Sequence, residues 1–332
     1  FAAMRALWHV SHRQAATLAY GVLLATGFIL FVQSRIAMLD IFMAAFVMIA
    51  LWLFAAACTA RTTARARRNL ALAGIAIGCA LASKWNTIPV APVFGLAFLG
   101  IRWRAGGAAR LLTDHQAPPV RGVSLVEAAL WLGVLPLAVY AATFWPAFQV
   151  ENGPFAGMDL IGAHRHMLEL QQSVKQSHPY QSTWSQWVLN TRAIWYLYEV
   201  TDGAQRGVML IGNPLTMILG LPALAWCAWH GVVRRYWAAL GAVVVYTVSL
   251  AFWIFANKPV QFYYHYSLPS MALLAALALA CDALWRNGWR KSALAPVIGS
   301  VLMFAWFYPI ISAAPLAGPD SFKVWTWLAS WR

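Results

Sequence analysis

Residues 36–58 read IAMLDIFMAAFVMIALWLFAAAC, and residues 59–68 follow as TARTTARARR. The first stretch holds one ionisable side chain, Asp40, near its start. It is long enough for a helix to cross the roughly 30 Å of bilayer hydrocarbon, which takes about 20 apolar residues. The second stretch places Arg61, Arg65, Arg67 and Arg68 just beyond it. An apolar run closed by an arginine cluster is the signature of a span whose end stays on the cytoplasmic side.

The same pattern recurs outward in both directions. Further apolar runs lie at 15–33, 70–84, 86–101, 123–146, 208–229, 237–256, 263–285 and 292–313, giving about nine expected spans. Arg5 and Arg13 precede the first. Arg102, Arg104, Arg110 and Arg121 lie between the fourth and fifth, Arg234 and Arg235 after the sixth, and Arg286, Arg290 and Lys291 after the eighth. Every cluster falls in an alternate loop. This predicts an all-α integral membrane protein, a polytopic bundle with its opening segment in the cytoplasm and its C-terminus outside.

Composition agrees. Hydrophobic residues make up 61% and charged residues 10%, with a mean hydropathy of +0.62. A soluble protein carries roughly a quarter charged residues, so a soluble fold of this size lacks its polar surface. The net charge of +14 is scattered in short clusters between apolar runs, which argues against a nucleic-acid partner. The four cysteines, Cys58, Cys79, Cys227 and Cys281, fall in or beside apolar runs without metal spacing. No internal repeat supports an inverted-repeat transporter. The expected organisation is 1–146 as a first membrane part, 147–207 as an outer-face loop with an interfacial helix, and 208–332 as C-terminal spans with an outer tail.

Several residues on the outer side are not explained by topology. Arg35 and Asp40 are five apart, about 140° around one continuous helix, so they converge only if the helix breaks between them. Arg35 offers a planar donor fork for a phosphate; equally, it is a snorkelling arginine with Asp40 capping the next helix. Lys84 ends an apolar run on the same side and reads as a snorkelling lysine or a second phosphate cation. His178, Tyr180, Trp184, Trp187, Arg192 and Trp195 form an aromatic and polar stretch. Trp184, Trp187, Thr191, Trp195 and Tyr198 recur at helical spacing, which predicts an amphipathic interfacial helix; the same residue types also line sugar sites. Tyr264 and His265 lie in a Tyr-Tyr-His-Tyr run at the start of the eighth span. His164-Arg165-His166 has two histidines but no third ligand, and reads as a solvated loop.

At these residues the chain resembles the dolichyl- or polyprenyl-phosphate-mannose protein mannosyltransferases, family 39 of the glycosyltransferases. Gln33 to Asp40 resembles the family's Arg-x-x-x-Leu-Asp segment, Gly74 to Trp85 its Gly-rich helix ending in Lys-Trp, and His178 to Tyr196 the start of its C-terminal four-helix region. Tyr264-His265-Tyr266 with Pro269 resembles a further motif of that region. The resemblance implies the GT-C membrane fold and transfer of mannose from a polyprenyl-phosphate-mannose lipid to Ser or Thr of a protein acceptor, with inversion and with no metal or other cofactor. It implies that Arg35 and Lys84 hold the donor phosphate, Asp40 supports the site, and His178, Tyr180, Trp184, Trp187, Arg192, Trp195, Tyr264 and His265 shape the groove. The family's base is a carboxylate of an Asp-Glu pair in an earlier outer loop. No Asp-Glu pair occurs in this chain, so the expected fragment lacks its base. Membrane lipids are the surrounding partners, and a bacterial plasma membrane is the expected location. A transferase acting on an envelope lipid, and a transporter or flippase, are the competing readings.

Overall fold

The computed structural model describes residues 1–173, 176–256 and 258–332, with Ala109 and Arg110 described in backbone alone. It is helical apart from one β-hairpin. Two compact units divide the chain: residues 1–10 with 42–175, and residues 11–41 with 176–332. Their border falls inside the 147–207 segment expected as one loop region.

In the first unit, α1 (Ala2–Ser11) supplies its first turns and α4 (Leu39–Cys58) most of its length. They are joined by α5 (Thr63–Ser83), α6 (Ala91–Arg110), α7 (Leu125–Ala129), α8 (Leu135–Ala142), α9 (Trp145–Phe148) and α10 (Leu160–Ser173). A π-helical turn, Leu130–Val134, links α7 to α8, a local widening of the kind that recurs at functional sites. Opposite it, α5 presents Gly74 and Gly78, one turn apart. A Cβ on Gly74 would overlap the Trp131 carbonyl oxygen, and one on Gly78 would stand 2.6 Å from that of Pro136. Small residues four apart let two backbones approach closely where no hydrophobic effect drives helices together.

In the second unit, α14 (Ser267–Arg286) is the core. It is buried on nearly every face and packs against α2 (Gln14–Ala25), α12 (Pro214–Val233), α13 (Trp237–Phe255) and α15 (Arg290–Ile311). The Tyr20 hydroxyl donates to the Met271 carbonyl at 3.0 Å. Asn213 donates to the Thr26 and Ser300 carbonyls at 3.3 and 3.1 Å. These bonds satisfy polar groups that lipid cannot.

The span count differs from expectation. Among the described residues seven helices are long and apolar enough to cross a membrane, or eight when a bent pair counts as one. That pair is α2 with α3 (Phe28–Arg35), bent by 52° at Gly27. The expected run at 70–84 forms α5, but its first turns carry Arg65, Arg67 and Arg68, and it falls short of the apolarity a span needs. The run expected from 208 begins as a helix only at Pro214, because 208–210 belong to a strand.

The interfacial helix across Trp184–Tyr198 is also corrected. Helix α11 stops after Trp184–Val188, and Asn190 then takes a φ of 55°. Ile194–Thr201 (β1) pairs antiparallel with Ala204–Leu210 (β2). Asp202 and Gly203 have φ of 52° and 74°, the geometry of the tight turn that Asp-Gly favours and that matches strand twist. Aromatic and β-branched residues on both sides then prefer the pleated surface over a helix. Conversely, α10 is helical where the sequence predicted a loop. The sequence also reads Asn257-Lys258-Pro259 as an outer-face turn, and its first residue, Asn257, lies outside the described residues.

Candidate functional site

Within the second unit, α3 ends at Arg35, Ala37 takes a φ of 50°, and α4 starts at Leu39. The chain therefore breaks between Arg35 and Asp40, the condition required for their convergence. Arg35 is exposed; its guanidinium lies over the Phe31 ring, 5.4 Å from the centroid, and donates to the Ser312 carbonyl at 3.4 Å. Asp40 is completely buried. Gln33, on the last turn of α3, donates to the Tyr264 carbonyl at 3.5 Å, so the arginine-bearing helix end meets the Tyr-Tyr-His-Tyr turn.

That turn (Tyr263–Tyr266) carries an aromatic chain. The ring of His178 meets Phe262 edge-on at 5.2 Å, Phe262 stacks on Tyr264 at 5.3 Å, and Tyr264 meets His265 at 4.5 Å. His265 in turn lies on Trp253, and Trp187 closes the cluster, 5.9 Å from both rings. Tyr180 sits beside His178, its backbone N–H donating to the His178 Nδ1 at 3.1 Å. The sequence grouped His178, Tyr180, Tyr264 and His265, and the structure brings them together.

Tyr196, on the hairpin, lies close enough to Tyr264 for their charges to interact. Trp195 pairs with Met209 and Leu197 with Val208, leaving Tyr196 as the extra residue of a β-bulge. A bulge re-aims its side chain out of the alternation, and bulges concentrate beside functional sites. The Tyr196 hydroxyl is buried and has no hydrogen-bond partner among the described residues. Burial pushes its pKa above the usual phenol range, and the charges of Tyr264 and Asp40 push the same way. Tyr196 closes the His178-to-Tyr196 stretch but was not among the expected groove residues; its signal, an odd residue in a two-residue period, emerges only once the register is known.

The other expected groove residues brace the fold. Arg192 donates to the carbonyls of Pro179 and Ser330. The Trp195 indole donates to the Trp331 carbonyl at 2.8 Å. Trp187 is completely buried with its Nε1 donating to Ser182 at 2.8 Å, while Trp184 remains 38% exposed. Asn190, missed in the sequence, is the junction: it exchanges two hydrogen bonds with Gly212 and accepts from the Tyr263 hydroxyl at 2.5 Å.

Lys84 belongs to the first unit, where it caps α5 in an extended conformation. Beside it, the Trp85 indole donates to the Tyr140 hydroxyl at 2.8 Å, and Tyr140 contacts His164 Nε2 at 2.6 Å. His164 Nδ1 must donate to the Leu160 carbonyl, 2.6 Å away, since a carbonyl only accepts. His164 is thus a bonded helix residue, where the sequence predicted a solvated loop. No group of three His, Cys, Asp or Glu is disposed to hold a metal ion among the described residues.

A family profile described as dolichyl-phosphate-mannose-protein mannosyltransferase matches residues 3–152, and one described as the C-terminal four TMM region of protein-O-mannosyltransferase matches residues 157–331. The chain belongs to this family. Helices α12 to α15 are four membrane-length helices within the second match. The polyprenol-phosphate-mannose–protein mannosyltransferase of Mycolicibacterium smegmatis is 29% identical over 94% of this chain and 71% of its own length. The protein of the same name in Mycobacterium tuberculosis is 28% identical over 94% and 70%, and that in Corynebacterium glutamicum 24% identical over 100% and 74%. An Archaeoglobus fulgidus oligosaccharyltransferase in the apo form aligns with a TM-score of 0.46 at 16% identity, covering 98% of this chain and 45% of that one. This mannosyltransferase is a multi-span membrane glycosyltransferase, and the family's reaction is transfer of mannose to protein.

Proposed function

We propose that the chain transfers mannose from a polyprenyl-phosphate-mannose donor to Ser or Thr hydroxyls at the outer face of a bacterial plasma membrane, with inversion at the anomeric carbon. The observation that carries this reading is the exposed Arg35 guanidinium on a helix end that meets the Tyr264 turn, with the buried Asp40 just beyond the break. In the proposed step the acceptor oxygen bonds to the anomeric carbon as the bond from that carbon to the phosphate oxygen breaks. The hydroxyl proton passes to a carboxylate base, and the leaving lipid phosphate carries away the electron pair. Arg35 stabilises that charge, since a guanidinium fork meets phosphate oxygens in two parallel hydrogen bonds. Asp40, buried just beyond the break, supports the site. His178, Tyr180 and Tyr264 line the groove for sugar or peptide. Lys84, on the first unit, is a separate phosphate-binding candidate at the end of α5. The names of the mycobacterial and corynebacterial relatives support protein over an envelope lipid as acceptor and disfavour transport.

Radiolabelled mannose transfer from polyprenyl-phosphate-mannose to a Ser/Thr-rich peptide, in membranes carrying the full-length protein, tests the reading. Arg35→Ala is expected to lower turnover roughly 10²- to 10³-fold, the usual loss when a donor to developing charge is removed. Unchanged transfer removes Arg35 from the donor site, and transfer to a lipid alone moves the acceptor assignment. Reporter fusions at the two ends test the orientation.

A further inference from the structure

The first unit holds a cavity of about 740 Å³ lined by none of the residues assigned to mannose transfer. Arg5 and His9 of α1 and Arg61, Arg65, Arg68 and Asn69 around the start of α5 supply its polar lining. Its apolar wall is Trp52 and Leu53 of α4 with Leu72 of α5.

Two observations separate this cavity from ordinary topogenic charge. The first is charge balance. Glu127 lies close to the same helix but is taken by Arg67, with Nε–Oε1 at 2.6 Å and Nη2–Oε2 at 3.1 Å. Arg5, Arg61, Arg65 and Arg68 have no carboxylate partner among the described residues. Snorkelling arginines need no shared cavity, and four converging on one raise its potential unless an anion enters. The second is Asn69, which is 7% exposed and lines the cavity, yet its side-chain amide has no hydrogen-bond partner among the described residues. The amide opens into the cavity, where its donor and acceptor atoms are free to bond a ligand atom. His9 is held in place by Thr59, Nδ1 to Oγ1 at 3.0 Å, and Arg5 reaches His9 Nε2 at 3.4 Å while lying over the Trp52 ring at 5.9 Å. The basic wall is therefore partly preorganised.

We propose that this cavity binds the phosphate headgroup of an anionic membrane lipid. The arginines pair with the phosphate oxygens, Asn69 donates to the same headgroup, and the acyl chains leave along Leu53 and the exposed face of Leu72. The mixed lining favours an amphiphile over a free ion, and basic pockets between membrane helices are the usual form of such headgroup sites.

The test titrates delipidated protein in neutral detergent with phosphatidylglycerol, phosphatidylcholine of the same chains, or inorganic phosphate. Retained adducts are read by native mass spectrometry, alongside the melting temperature. Phosphatidylglycerol is expected to bind at least about tenfold tighter than phosphatidylcholine and to raise the melting temperature. Arg65→Gln/Arg68→Gln removes roughly tenfold or more of that affinity, while Arg234→Gln/Arg235→Gln, outside the cavity, does not. Asn69→Ala, which leaves the charge unchanged, also weakens the lipid; it keeps the test open if the double variant does not fold. Equal binding of the two lipids overturns the proposal, as does equal loss in the control pair. Protection by inorganic phosphate as strong as by phosphatidylglycerol overturns the lipid as its source.

Discussion

The imidazole of His265 lies flat against the indole of Trp253, with ring centroids 3.7 Å apart and planes 15° apart. Both rings are at least 96% buried, and Trp187 meets each of them edge-on. This stack ties the Tyr263–Tyr266 turn to the end of α13. His265→Phe preserves the flat ring and is expected to keep the melting temperature within a few degrees. His265→Ala leaves a cavity against two tryptophans and is expected to destabilise by about 2–4 kcal/mol. Equal melting of the two variants would show that the stack contributes nothing.

Asn190 is the second fixed point. It satisfies both backbone groups of Gly212 while holding a left-handed φ of 55°. Asn190→Ala orphans the Gly212 carbonyl, takes the acceptor from the buried Tyr263 hydroxyl, and leaves the Gly212 N–H only its second acceptor, that hydroxyl, at 3.0 Å; it also places a Cβ residue without a local bond in that region. A loss of about 2–4 kcal/mol is expected. Asn190→Gly relieves the backbone but restores no bond, so its melting temperature should lie between the two. An order of glycine below alanine would place the effect elsewhere.

Much of this architecture is legible in the residues because a bilayer imposes one length and one polarity. Leu39–Cys58 and Trp237–Phe255 announce themselves as spans for that reason. What failed did so on period. Trp184, Trp187, Trp195 and Tyr198 fit a helical repeat, yet Asp202-Gly203 was the stronger local signal, since its left-handed pair fixes a hairpin. At the candidate site the Arg35 break was legible as a requirement, and the structure supplies it at Ala37. The bracing roles of Arg192 and Trp195 were not, because their partners Ser330 and Trp331 lie more than a hundred residues away. The bond between Tyr140 and His164 likewise joins a span to a segment read as a loop.

Gly74 gives a packing prediction in the first unit. A methyl group there would overlap the Trp131 carbonyl oxygen, which belongs to backbone and cannot rotate aside. Gly74→Ala must therefore push α5 away from the π-helical turn. Overpacking of a tight interface destabilises by about 1–3 kcal/mol or more. Gly95→Ala, where the added carbon meets nothing within 4 Å, is expected to be silent. Comparing folded yield of the two after detergent extraction checks this, and equal yields would refute the close contact.

Tyr196 separates stability from function at one atom. Its hydroxyl is buried without a hydrogen-bond partner among the described residues, so removing it spares a desolvated polar group. Tyr196→Phe is expected to hold or raise the melting temperature at neutral pH. The pH dependence has a definite sign. Burial raises the folded pKa of Tyr196 above its unfolded value, so the neutral phenol favours the fold below about pH 10. That contribution is lost as pH rises from the unfolded toward the folded value. Melting curves should therefore fall less steeply above about pH 10 in Tyr196→Phe than in the parent. Mannose transfer at neutral pH supplies the other half. If the bulge aims Tyr196 at the groove, the variant lowers kcat/KM severalfold while remaining fully folded. A variant that transfers normally and melts normally would reduce the bulge to a feature of the hairpin alone.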